Sequence, residues 1–142
     1  MSNKIHALAR AKQIEAERSA TMTVTLAELV NARPVLAELM RLKFPEGKGK
    51  LSLEFGRLCR DVFKELETAY DPAYNELLKK HGDENPDKPG EFQIRAGEVE
   101  KLTAAVRDLT AAEITLLHAP LGEVAEIFAL SGAEALALEW ML

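Results

Sequence analysis

The stretch TMTVTLAELVNARPVLAELMRLKFPEGKGK, Thr21 to Lys50, decides the fold. Met22, Val24 and Leu26 alternate there with Thr21, Thr23 and Thr25, the period-two, β-branched signature of a short strand. The period then changes. Leu26, Leu29, Val30, Arg33, Leu36, Leu39 and Met40 follow at helical spacing. Thr25 stands three residues before Glu28, where a hydroxyl and a returning carboxylate satisfy each other's open backbone amides. Pro34 interrupts the ladder. It lacks an N–H and presses on the turn before it, which predicts a kink near Asn31 or a later helix start with Asn31 as the cap. Phe44 to Lys50 (FPEGKGK) carries a proline and two glycines and should return the chain, so that a second helix runs back along the first.

That second helix places Phe55, Cys59, Val62, Leu66, Ala69, Ala73 and Leu77 three or four apart, with Phe63, Tyr70 and Tyr74 widening the stripe. Asp71-Pro72 lies inside it and predicts a bend. His81 to Gly90 (HGDENPDKPG) has two prolines and no apolar anchor, the composition of an exposed loop. Glu91 to Ile94 and Glu113 to His118 read as further short strands, which together with 21–26 would make one small sheet against the helices. Val99, Leu102, Val106 and Leu109 predict a helix from about Gly97 to Leu109. Pro120-Leu121-Gly122 breaks the chain, and Ser131 with Glu134 repeats the capping-box spacing ahead of a terminal helix. The expected architecture is α+β and mainly helical: two longer antiparallel helices packed with a small sheet of short strands, plus a C-terminal helix. Residues 21–142 form one domain in this reading, and 1–20 form a flexible or helical N-terminal arm.

A chain of 142 residues with 47% apolar and 29% charged residues can bury one ordinary core. It has no apolar run long enough to span a bilayer, and Met1 to Ala20 shows neither an apolar signal core nor a small-residue cleavage pattern. A soluble product in the cytoplasm is expected, without membrane contact. Cys59 is the one cysteine, so it makes no internal bridge and builds no thiolate metal site. On the apolar stripe of its helix it reads as a buried small hydrophobe. The formal charge of −5 works against a phosphate backbone, and although the first 18 residues carry +2, no aromatic side chain is interleaved to stack a base. Direct nucleic-acid binding is therefore not expected.

No reaction emerges from the motifs. His6, His81 and His118 lie in different segments and make no helical ligand pair with a carboxylate between. Asp83, Glu84 and Asp87 follow His81 without EF-hand spacing, so this stretch reads as a solvated turn. FPEGKGK lacks the Walker spacing and follows a helix, so it reads as a structural turn and not as a phosphate cradle. No catalytic residue, metal site or cofactor is assigned, and the chain is not expected to be an enzyme.

The end of the chain is different. From Asp108 onward there are six acids, Asp108, Glu113, Glu123, Glu126, Glu134 and Glu139, and no Lys or Arg. Apolar residues are dense in the same region. Aromatic side chains and methionine supply large contact area at interface centres, which makes Phe128, Leu130, Glu134, Leu138, Glu139, Trp140, Met141 and Leu142 the candidate protein interface. A terminal helix docking into its own core would use the same apolar residues.

Three stretches, TVTLAELVNARPVLAELMRLKFP (Thr23 to Pro45), ELLKKHGDENPD (Glu76 to Asp87) and EITLLHAPL (Glu113 to Leu121), resemble a family of small uncharacterised proteins of tailed bacteriophages and prophages. LVNARPVL (Leu29 to Leu36) is the most distinctive part, and the likeness covers about 21–142. The resemblance implies a noncatalytic viral protein working through protein–protein contacts, in virion structure or assembly, or as a small inhibitor or regulator of one host protein such as a nucleic-acid enzyme. A small hydrolase, resting only on the supply of carboxylates and histidines, is the remaining reading. The implied partners are virion components, one host protein or a second copy of the chain. The implied location is the cytoplasm of the infected cell or the virion.

Overall fold

The computed structural model describes residues 20–142, so the expected arm lies outside the described residues except at its last position. Strand β1 (Met22–Thr25) buries Met22 and Val24 and exposes Thr23, the alternation read from the sequence. Helix α1 (Leu26–Leu39) begins immediately after it. Thr25 Oγ1 accepts from the Glu28 N–H at 3.2 Å, and the Thr25 N–H donates to Glu28 Oε1 at 3.1 Å. With the first turn closed in this way, Asn31 lies inside the helix and is not its cap. Pro34 also stays inside a continuous helix. Its ring is on the exposed side, while Leu29, Ala32, Leu36 and Leu39 hold both halves to one core, so burial overrides the local cost.

The turn after α1 uses Gly47 at φ +85°, a backbone that a Cβ would strain. Helix α2 (Gly49–Glu65) then returns and buries Phe55, Leu58, Cys59 and Val62 against α1. The expected bend at Asp71-Pro72 takes the form of a widened π turn, Leu66–Tyr70, in which the Asp71 N–H reaches the Leu66 carbonyl five residues back. Helix α3 (Asp71–His81) thus carries Pro72 in its first turn, where the missing N–H costs nothing.

The single expected sheet is two. Strand β1 pairs antiparallel with β4 (Glu113–Leu116), Met22 opposite Leu116 and Thr25 opposite Glu113. The strand at the expected position near 91–94, β3 (Phe92–Ile94), instead pairs with β2 (Gly82–Glu84), inside the stretch read as loop. Gly-Asp-Glu has no apolar alternation to betray a strand. It forms one because Gly82 lets the chain leave α3 and pair at once: a Cβ there would stand 2.8 Å from the Gln93 carbonyl oxygen and 3.1 Å from that of Leu78. Helix α4 (Val99–Thr110) starts after Gly97, whose φ of +83° is outside any helix. A short helix α5 (Glu123–Ile127), not evident in the sequence, precedes α6 (Gly132–Ala137) and a closing 3-10 turn, Glu139–Met141. Ser131 and Glu134 complete the second capping box.

The buried apolar core draws on two stretches, Met22–Leu66 and Leu116–Met141. Helix α4 buries no side chain completely and α3 buries only His81. Cys59 is in the core, where burial pushes its thiol up to about 12, so it stays neutral and serves as a small hydrophobe.

Candidate functional site

The eight residues expected to face a partner separate. Leu138 and Met141 are fully buried, because the 3-10 turn folds the tail back onto β1, and both leave the interface set. The Met141 carbonyl accepts from the Leu121 N–H at 2.6 Å and fixes that return. Phe128 stands edge-on to Phe44 with ring centroids 5.0 Å apart, and Phe44 in turn meets Phe55 at 5.6 Å. Phe128, Leu130, Trp140 and Leu142 are half-buried against the core. Glu134 is used by its capping box, and the hydrogen bonds from the Ser131 backbone and side chain hold its carboxyl below the usual range. Glu139 alone of the eight is exposed.

What the tail does present is Leu136, 72% exposed and outside the expected set. Residues two apart on a helix face opposite sides, so the inward turn of Leu138 sends Leu136 outward. Leu136 rims a cleft of about 330 Å³ shared with Glu28, Asn31, Ala137, Glu139 and Trp140. The Trp140 indole N–H donates to the Ala137 carbonyl at 3.0 Å, which fixes the ring and satisfies one open carbonyl at the end of α6. The cleft is lined by apolar Leu136, Ala137 and Trp140 and by the acidic Glu28 and Glu139, Glu28 being the carboxylate of the first capping box.

A second surface lies on α2, away from its buried row. Gly49, Leu53, Gly56 and Arg60 follow at steps of four, three and four, and with Ser52 and Arg57 they line a shallow concavity of about 620 Å³. Neither Gly49 nor Gly56 has any atom within 4 Å of where a Cβ would stand, and Leu53 is 54% exposed. Arg60 Nε donates to Asp61 Oδ1 at 3.2 Å, while Arg57 forms no ion pair among the described residues. Arg57 also borders a hollow of about 340 Å³ with Leu117, His118 and Leu121. The face is basic and apolar, with open floor at its glycines. Lys48, in the turn ahead of it, pairs with Glu123 at 3.0 Å and ties the turn to α5.

Two histidine–carboxylate pairs escaped the sequence. His118 Nε2–H donates to Asp61 Oδ2 at 2.6 Å, joining the segment after β4 to α2. Burial pushes Asp61 up, but the hydrogen bonds and charges of His118 and Arg60 outweigh it and hold the carboxyl below its usual value. His81 is no solvated turn: it is buried, and its Nδ1–H donates to Glu98 Oε2 at 2.8 Å. That hydrogen bond holds Glu98 below its usual range against the opposing effect of burial, with help from the charges of Lys101, His81 and Arg95. Each imidazole is spent on a carboxylate, and neither hydrogen-bonds a hydroxyl or thiol among the described residues. The partners are 57 and 17 positions apart, a separation at which no spacing rule operates.

Among the described residues no group of three or more His, Cys, Asp and Glu side chains is placed to hold a metal ion, and no helix is long and apolar enough to cross a membrane. No protein-family model, curated protein or solved structure matches the chain.

Proposed function

We propose that the protein acts without catalysis, through protein–protein contact, in the structure or assembly of a tailed-phage virion. The observation that carries the contact reading is Leu136, left exposed by the chain's own core at the rim of a cleft lined also by Glu28, Glu139 and Trp140. Large apolar side chains at the centre of a charged rim are the anatomy of a binding patch. The phage setting rests on the resemblance of Leu29 to Leu36 and its companion stretches.

The test is native mass spectrometry of complexes gently isolated from phage-infected cells, for the natural chain and for Leu136→Asp. Recovery with capsid or tail proteins in defined stoichiometry, lost in the variant, is the expected result. A one-to-one complex with a single host enzyme would replace assembly by inhibition. Full recovery of the partner by Leu136→Asp would move the contact off this cleft.

A further inference from the structure

His118 gives only one of its two ring nitrogens to Asp61. Nε2–H makes that bond at 2.6 Å, and Nδ1 has no hydrogen-bond partner among the described residues. No buried side-chain nitrogen or oxygen there is left without a partner, so Nδ1 is open to solvent. The ring stands between two hollows of the surface. Asp61 lines one of them with Lys64 and Glu65, and His118 lines the other with Glu54, Arg57, Leu117, Ala119 and Leu121. The bond to Asp61 therefore holds the imidazole at the wall of the second hollow, with Nδ1 as its one unused polar atom.

That wall is fixed at both ends. Strand β4 stops at Leu116, which is paired with Met22, and five residues on the Leu121 N–H donates to the Met141 carbonyl. The hollow encloses about 340 Å³, room for a small organic molecule. Leu117, Ala119 and Leu121 give it an apolar side, and Leu117 is 71% exposed. Arg57 gives it a guanidinium that forms no ion pair among the described residues. An imidazole whose Nε2–H is bonded to a carboxylate is favoured in its charged form, in which Nδ1 also carries a proton to donate. A guanidinium and a charged N–H donor on one hollow, next to apolar side chains, suit an oxyanion attached to a small apolar body.

We infer that this hollow binds a small organic oxyanion, its carboxylate or phosphate group held by Arg57 and the His118 Nδ1–H and its apolar body on Leu117 and Leu121, with Asp61 positioning the imidazole. The site is separate from the Leu136 cleft and does not depend on it. Binding carries a proton signature. Where the free imidazole has given up its second proton, an entering anion draws one back onto Nδ1. Imidazoles ordinarily make this change between about pH 5 and 8. The charged groups around the ring are Arg57, Arg60 and Lys64 with Glu54, Asp61 and Glu65, guanidinium, ammonium and carboxylate groups of kinds that keep their charge in that window. Affinity for the anion therefore falls as the pH rises through it.

The experiment is titration calorimetry of the full chain with benzoate and with phenyl sulfate, a constant-charge stand-in for a phosphate ester, and with benzyl alcohol as the neutral counterpart. It is run at about pH 5.5, 7 and 8.5 in buffers of different ionisation heat, so that proton uptake is read directly. At least one anion is expected to occupy a single saturable site, at least about tenfold tighter than benzyl alcohol and about tenfold weaker at the highest pH than at the lowest, with proton uptake on binding. Tighter benzoate assigns a carboxylate ligand, and tighter phenyl sulfate a phosphate. Arg57→Gln, at an exposed position, should weaken the anion at least about tenfold at every pH and leave the melting temperature unchanged. His118→Gln should abolish both the proton uptake and the pH dependence. Should that variant fail to fold, the proton count of the natural chain tests the same nitrogen. The inference is overturned if neither anion saturates a site up to about 10 mM. It is equally overturned by binding that benzyl alcohol matches, that Arg57→Gln leaves unchanged, or that takes up no proton at any of the three pH values.

Discussion

The body of the molecule, β1, α1, α2, β4 and the tail from α5 onward, is held by apolar burial, and the lobe of α3, β2, β3 and α4 is held by polar latches. Phe55, Leu29, Leu36, Leu58 and Leu66 are almost completely buried in the body. In the lobe, His81 carries the one buried side chain, next to the buried Gly82. Three latches take the place of a core. Arg33 Nη2 donates to both carboxylate oxygens of Asp71 at 3.0 and 3.1 Å while its guanidinium lies 5.9 Å from the Tyr70 ring centre. His81 grips Glu98 across the junction with α4. Arg95 donates to the carbonyls of Lys80 and Gly82, closing the end of α3, and to Asp83. Apolar burial accumulates over many contacts, whereas each latch is a single geometry that one substitution undoes. The lobe should therefore open before the body unfolds.

The largest test of that contrast is in the body. Phe55→Ala removes a fully buried ring that also supports Phe44 and, through it, Phe128. It should cost about 3–5 kcal/mol in urea unfolding and raise hydrogen exchange throughout the chain. A loss under about 1 kcal/mol would mean that the body is not a single packed core. Next in size is Gly82→Ala. Its new methyl meets two backbone carbonyls that cannot move independently of α3 and β3, so a loss of about 1–3 kcal/mol is expected. Here the faster exchange should be confined to α3 and the β2–β3 hairpin. Spread of the effect into α1 and α2 would erase the distinction between body and lobe.

The two capping boxes sharpen the same contrast within the body. Thr25→Ala opens the first turn of a helix whose Leu26 and Leu29 are core residues, and about 1 kcal/mol of global stability should go with it. Ser131→Ala opens a six-residue helix with no buried residue of its own. Its effect should be smaller and local, seen as faster exchange in α6 and a loosened Leu136. Equal global losses would show that α6 is as integral to the core as α1.

Both boxes were legible because their partners are three residues apart and the chemistry is local. So were β1, α1 and the α2 stripe, where apolar spacing and burial agree. The misses have a common cause. Gly82-Asp83-Glu84 becomes a strand through the close approach of Gln93, and His118 meets Asp61 only after β4 has paired with β1. Pro34 and Pro72 were visible as disturbances, but whether a helix absorbs, shifts or breaks at a proline is decided by what its other face buries. In the tail the apolar content alone left core and interface open, because it was read without its phase. Leu138 is inside and Leu136 outside by virtue of being two residues apart, and that phase was available in the sequence once Ser131 was fixed as the cap.

The smallest expected effect compares the two histidine-bound carboxylates. Asp61 belongs to the body and Glu98 to the lobe, and both are lowered in the folded chain from ordinary values of 3.8 and 4.5. A carboxylate whose folded value is depressed contributes stability above its unfolded value, and that contribution is lost as pH falls through the folded one. Acidification below about pH 4.5 should therefore erode both contacts. Asp61→Asn and Glu98→Gln should each be less stable than the natural chain at neutral pH, and the differences should shrink as the pH is lowered through that window. Both carboxylates are partly exposed, so solvent screening keeps the changes small. Their location is what distinguishes them. Glu98→Gln should flatten the acid dependence of exchange in α3 and α4 while leaving β1, β4 and α2 as they were, and Asp61→Asn should do the reverse. A Glu98→Gln chain whose body loses acid dependence to the same degree as its lobe would mean that the His81 latch is coupled to the core and that the lobe has no opening of its own.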